Sequence, residues 1–71
     1  MNKETTFLER LILEEEELGQ KIAGLSKALN SDGFCEKAGE YQFELLGVQH
    51  SAMVAYRRIL LLRIKDLKSK E

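Results

Sequence analysis

Residues Gln42–Arg63 read QFELLGVQHSAMVAYRRILLLR, a stretch with no proline and one glycine, Gly47. Wound at about 100° per residue, it forms a helix whose widest apolar stripe holds Leu45, Leu46, Ala52, Met53, Ile59 and Leu60. Gln42, Gln49, Tyr56 and Arg63, spaced seven apart, run down the middle of that stripe. A helix that only packs would carry Leu or Ile at those places. A polar ladder on an apolar seam points instead to specified association, and it has two readings. Polar residues at the core positions of a coiled coil fix register and oligomer number. Alternatively, the ladder is a ligand site between hairpins. The glutamine amides would read a base edge, Tyr56 would stack on it, and Arg63 with Arg57 or Arg58 would hold phosphate. An arginine on an apolar seam needs an anion, because an unpaired buried charge is costly. Glu14, Glu15 and a bound ligand are the candidates.

Upstream of this helix the pattern predicts a second one of similar length. Thr6 with Glu9 three residues on forms a capping box, after a frayed segment 1–5. The helix is expected over about Phe7–Leu29, with Phe7, Leu11, Leu18, Ile22, Leu25 and Leu29 on one face. The run Glu14–Glu17 interrupts this stripe. It reads as a solvated acidic face, or Glu14 or Glu15 partners Arg63 or Arg57 across the hairpin. Asn30-Ser31-Asp32-Gly33 is a stop and turn: Asn30 or Gly33 takes the left-handed conformation, and Asp32 caps the next helical turn. Phe34–Ala38 makes that one short turn, Gly39 breaks it, and the long helix runs from about Glu40 to Lys68, with 69–71 frayed.

Two long helices with a short connection predict an all-α fold, an antiparallel hairpin forming one domain over residues 1–71. Folding the chain at Cys35 pairs positions whose numbers sum to about 70 and sets Gly19 against Ser51 and Ala23 against Gly47. The hairpin leaves Val54, Ala55, Leu61 and Leu62 off the main stripe. A single hairpin covers one side of each helix, so a second apolar side implies a partner. The economical partner is another copy, giving a homo-oligomeric helical bundle.

Composition narrows the function classes. At 71 residues, a lone core supplies about 3–5 kcal/mol unless it is stapled. One cysteine excludes an internal disulfide, and one cysteine with one histidine argues against a metal site. A net charge of −1 argues against a dedicated DNA-binding domain. No apolar run approaches the roughly 18 residues of a membrane span. The single cysteine and the absence of a signal-peptide pattern lead to the expectation of a cytoplasmic protein. No glycine-rich phosphate loop, paired-carboxylate motif or zinc spacing is present, so the expectation is a protein that is not an enzyme and takes no cofactor. His50 sits beside the seam with no nucleophile in pattern. Tyr41 and Lys37, close to Phe34 at the turn, form a second candidate aromatic–basic site; the plainer reading has Phe34 and Tyr41 plugging the end of the core.

Three motifs carry a resemblance. They are F-L-x-R-L from Phe7, L-N-S-x-x-F at Leu29–Phe34, and Q-x-x-L-L-x-x-Q-x-x-A-M-x-x-Y-x-x-I-L-x-x-R at Gln42–Arg63. Together they resemble a family of short phage proteins first labelled in crAss-like phages, a label that implies no activity. In architecture alone, the chain is similar to the hairpin sponges with which viruses counter CBASS and Thoeris immunity. That likeness implies a small anti-defence protein, acting in the host cytoplasm, that sequesters a cyclic nucleotide signal between hairpins. Its expected contacts are Tyr56, Arg63, Arg57, Gln49 and Gln42, with Tyr41 and Lys37 as a second set. The alternative is a helical module that binds and inhibits a host defence protein or a virion protein.

Overall fold

The computed structural model describes residues 6–70. Helix α1 spans Phe7–Leu29, α2 spans Phe34–Ala38 and α3 spans Glu40–Ser69. No strand occurs among the described residues. The expected fraying of 1–5 and of Glu71 lies outside them; Ser69 closes α3 and Lys70 caps it.

Each boundary has a local cause. The Thr6 side chain accepts a hydrogen bond from the Glu9 backbone N–H (3.0 Å), and the Glu9 carboxylate accepts one from the Thr6 N–H (2.9 Å). This is the capping box read from the sequence, and it satisfies two of the otherwise unpaired N-terminal donors of α1. At the other end, the Asn30 side-chain amide donates to the Ser26 carbonyl and the Ser31 hydroxyl to that of Lys27. The left-handed residue of the turn is Gly33, at φ +79°. Gly33, with no side-chain bond from Asp32, also precedes α2, so the expected Asp32 cap is not the one used. Gly39, at φ 94° and ψ 147°, ends α2 and starts α3 in one residue. Only glycine occupies that region without strain, so it reverses the chain where a side-chain cap could not.

The long helices pack antiparallel in a body of 51 × 24 × 15 Å. On α1 the seam is Leu8, Leu11, Glu15, Leu18, Ile22, Leu25 and Leu29, all buried or half-buried. On α3 it is Phe43, Leu46, His50, Met53, Arg57, Leu60, Ile64 and Leu67. Both follow the alternating three-and-four spacing of a coiled coil. The buried apolar residues are Leu11, Leu60 and Ile64, with Leu8, Ile12, Leu18 and Leu67 packed around them at the open end of the hairpin. At the turn, the Phe34 and Phe43 rings meet at 6.3 Å between centroids. Phe34 therefore plugs the core as expected, but its partner is Phe43; Tyr41 is 71 % exposed.

The α3 seam lies one residue on from the polar ladder. Gln42, Gln49, Tyr56 and Arg63 are exposed and flank the contact with α1 instead of running down its middle. Leu45, Ala52 and Ile59, read as part of the packing stripe, are exposed on another face. On α1 the seam takes Leu8 in place of Phe7, which is 54 % exposed. The expected register agrees with two cross-helix bonds: Glu14 meets Tyr56 and Glu15 meets Arg57.

Candidate functional site

The exposed strip on α3 is built by its sevenfold spacing. Residues seven apart fall about 20° from each other on an ideal helix, so Gln42, Gln49, Tyr56 and Arg63 form one continuous edge. Phe7, Glu14 and Lys21, also spaced seven apart, lie along the edge of α1 beside it. Two contacts join the edges. The Tyr56 hydroxyl donates to the Glu14 carboxylate. The Arg63 guanidinium sits 5.7 Å from the centre of the Phe7 ring, within the range for cation–π attraction. The bond to Glu14 raises the Tyr56 pKa first of all, with burial and the carboxylate's charge acting the same way and Arg63 opposing. Farther along, the Gln49 amide leans on the Met53 sulfur at 3.8 Å.

Arg57 has another role. Its Nε lies 2.7 Å from the Glu15 carboxylate, in the middle of the seam. Glu15 is 8 % exposed and is the one buried charged residue among those described. The guanidinium lies over Gly19, where a Cβ would stand 3.0 Å from its central carbon. Gly19 thus provides the space in which Arg57 reaches Glu15. Here the acidic run is not simply a solvated face: Glu16 and Glu17 are exposed, while Glu15 is drawn into the core and Glu14 into the flanking strip.

These placements divide the sequence-derived candidates. Tyr56, Arg63, Gln49 and Gln42 share one exposed edge. Arg57 lies on the seam, committed to Glu15, though its side chain remains 42 % exposed. Among the described residues Arg63 and Arg58 have no ion-pair partner. Tyr41 and Lys37 are exposed near the turn, and no hydrogen bond joins them. A body one or two helices thick has no interior for a ligand, and no pocket occurs among the described residues. Ligand capture along the strip therefore needs a second wall.

The sequence matches the Sequestin family over residues 5–66, nearly its whole length. The chain belongs to the Sequestin family. No curated protein and no solved structure matches it. In this Sequestin-family chain the match covers α1 and most of α3 and includes every candidate residue: Lys37, Tyr41, Gln42, Gln49, Tyr56, Arg57 and Arg63. The family description points to binding or sequestering and leaves the target open. No described helix is long and apolar enough to cross a membrane.

Two members of the site escaped the sequence reading. Gly19 appeared only as a small residue facing Ser51, and Phe7 only as a core residue. The signal for the first was available: the α1 and α3 repeats each have an acidic or basic break, at Glu15 and Arg57, and the expected register brings them within two residues of one another.

Proposed function

We propose that the protein is a non-enzymatic sponge: an oligomer that holds a cyclic nucleotide immune signal along the Gln42–Gln49–Tyr56–Arg63 strip. In this reading it is a phage anti-defence protein acting in the host cytoplasm. The observation that carries it is the placement of Tyr56 and Arg63 on one exposed edge, in a chain of a family whose name suggests sequestering. Tyr56 offers a ring for base stacking, and Arg63 offers a guanidinium with no carboxylate partner among the described residues. The glutamines supply amide donors and acceptors. Glu14 opposes anion binding at the same edge, so the ligand must displace or bypass the Tyr56–Glu14 bond. Native mass spectrometry with cyclic dinucleotides, cyclic trinucleotides and cyclic ADP-ribose isomers tests the proposal. A stoichiometric ligand mass on a discrete oligomer is expected. Tyr56→Ala and Arg63→Ala should each weaken binding at least tenfold while circular dichroism stays helical. An oligomer that takes up none of these compounds overturns the reading.

A second reading is favoured by a different observation. Tyr41, Leu45, Val48, Ile59 and Leu62 are all exposed on α3, an apolar face suited to gripping a host defence or virion protein. If that face stays open in the purified oligomer, the interaction module replaces the sponge.

A further inference from the structure

The exposed apolar residues of α3 form a second coiled-coil repeat. Leu45, Val48, Ala52, Ala55, Ile59 and Leu62 succeed one another at spacings of three and four, all exposed. They lie about 160° around the helix from the seam that packs on α1. Tyr41 precedes them and Asp66 comes after them at the same spacing. The outer face of α1, by contrast, carries Glu9, Arg10, Glu16, Glu17 and Gln20, with Leu13 as its single large apolar residue. The unpartnered apolar surface thus belongs mainly to α3.

We infer that this face pairs with the same face of a second copy, antiparallel, about a two-fold axis level with the Met53–Val54 bond. The inference rests on the oligomer in the proposed function but not on its ligand. The repeat is palindromic. Pairing positions whose numbers sum to 107 sets Leu45 on the partner's Leu62, Val48 on the partner's Ile59 and Ala52 on the partner's Ala55. All six residues are matched, large with large and small with small. A shift by one heptad either way leaves two of the six unmatched. The central alanines let the backbones approach closely, toward the lower end of the usual 8–10 Å between helix axes. At the ends, the Tyr41 hydroxyl faces the partner's Asp66.

Charge selects the same direction. The first half of α3 carries Glu40 and Glu44 and no Lys or Arg, whereas the second half carries Arg57, Arg58, Arg63, Lys65 and Lys68 against one acid, Asp66. Antiparallel pairing sets each acidic half against a basic one, and on one flank it places Glu44 beside the partner's Lys65. Parallel pairing would stack the basic halves together. The helix dipoles also favour opposed directions.

This symmetry completes the strip. A two-fold axis perpendicular to the pair keeps both strips on one side of the dimer. Tyr56 then lies beside the partner's Gln49 and Arg63 beside the partner's Gln42. The two Tyr56 positions stand about 7.5 Å apart along the axis, from five residues at 1.5 Å each. Each copy supplies half of one surface and the second wall that a single hairpin lacks.

Cysteine cross-linking in a Cys35→Ser background tests the register. Ala52→Cys and Ala55→Cys proteins are oxidised separately and as an equimolar mixture. A disulfide requires Cα atoms within about 7 Å. In the proposed pairing like-numbered positions are displaced by about 4.5 Å along the axis, in addition to their lateral separation. The mixture should therefore yield a covalent dimer and each protein alone should not. Cross-linking of each alone, or none in the mixture, overturns the pairing. A charge exchange gives a readout that does not depend on cysteine. Glu44→Lys should weaken the dimer in analytical ultracentrifugation at least tenfold, and Glu44→Lys/Lys65→Glu should restore it; failure of the rescue also overturns the register. Cyclic-nucleotide binding is measured on the same proteins. A wrong cross-link pattern with binding intact defeats this geometry alone, and the right pattern with no ligand bound defeats the sponge alone.

Discussion

The Glu15–Arg57 pair shows why a coiled-coil seam tolerates a charge. Arg57 keeps part of its side chain in water, while Glu15 is nearly covered and depends on it. Gly19 is the concession that makes room. A glycine inside a helix costs about 1 kcal/mol relative to alanine, and two in α1 can be compared. Around Gly24 a Cβ would meet nothing within 4 Å, whereas at Gly19 it would press on the Arg57 guanidinium. Gly24→Ala should therefore stabilise the protein by about 0.5–1 kcal/mol in urea denaturation. Gly19→Ala should gain less, because it pushes Arg57 away from Glu15, and should recover the full gain in an Arg57→Ala background. Equal gains at both positions would remove Gly19 from this role. At Tyr56 the prediction concerns pH. Glu14 holds the phenol in its protonated form, so its folded pKa lies above the ordinary value near 10. The stability this adds is fully present below pH 10 and is lost as the pH rises through the folded value. Ultraviolet titration at 295 nm should find a tyrosine ionising late, and Glu14→Gln should bring it back.

At the scale of the helices, the sequence was legible where one signal acted alone. The capping box at Thr6 and Glu9, the stop at Asn30 and the glycines at 33 and 39 set the boundaries through local chemistry. Helix α1 has one apolar face, so its stripe was read correctly except at Phe7. Helix α3 has two apolar faces, and fitting one stripe to it averaged them. That average put the ladder in the middle of a seam it only flanks, and it joined Leu45, Ala52 and Ile59 to residues on the other side. Separating the two repeats requires knowing which residues α1 covers, which is tertiary information. The site was legible in composition more than in placement: Tyr56 and Arg63 share an edge, but Arg57 belongs to Glu15. Gly39 shows the limit of cap rules. A serine-like residue is the ordinary start of a helix, yet φ at this position is +94°. Gly39→Ser should destabilise the hairpin by about 1–3 kcal/mol despite offering a capping hydroxyl, seen as a lower urea midpoint with an unchanged slope.

For the whole molecule, the decisive fact is how little one chain covers. Among the described residues Leu60 alone is fully buried, with Leu11 and Ile64 nearly so, while Val48, Ile59, Leu61 and Leu62, among others, are about half exposed or more. A hairpin of this size standing alone is marginal, because small cores rarely offset the chain entropy lost on folding. Association that covers the second face of α3 links folding to concentration: mass action stabilises only the assembled state. The melting temperature should rise steadily with protein concentration, by several degrees over a hundredfold range. Ile59→Glu tests the cause. Its side chain is 54 % exposed in the single hairpin, so within one chain the change touches little. Against a second copy it buries a carboxylate opposite Val48. The variant should melt at a lower temperature that no longer depends on concentration, with a sedimentation mass of one chain. A concentration-independent melt in the unaltered protein would mean that the hairpin is stable alone, and the apolar face of α3 would then be available for a different partner.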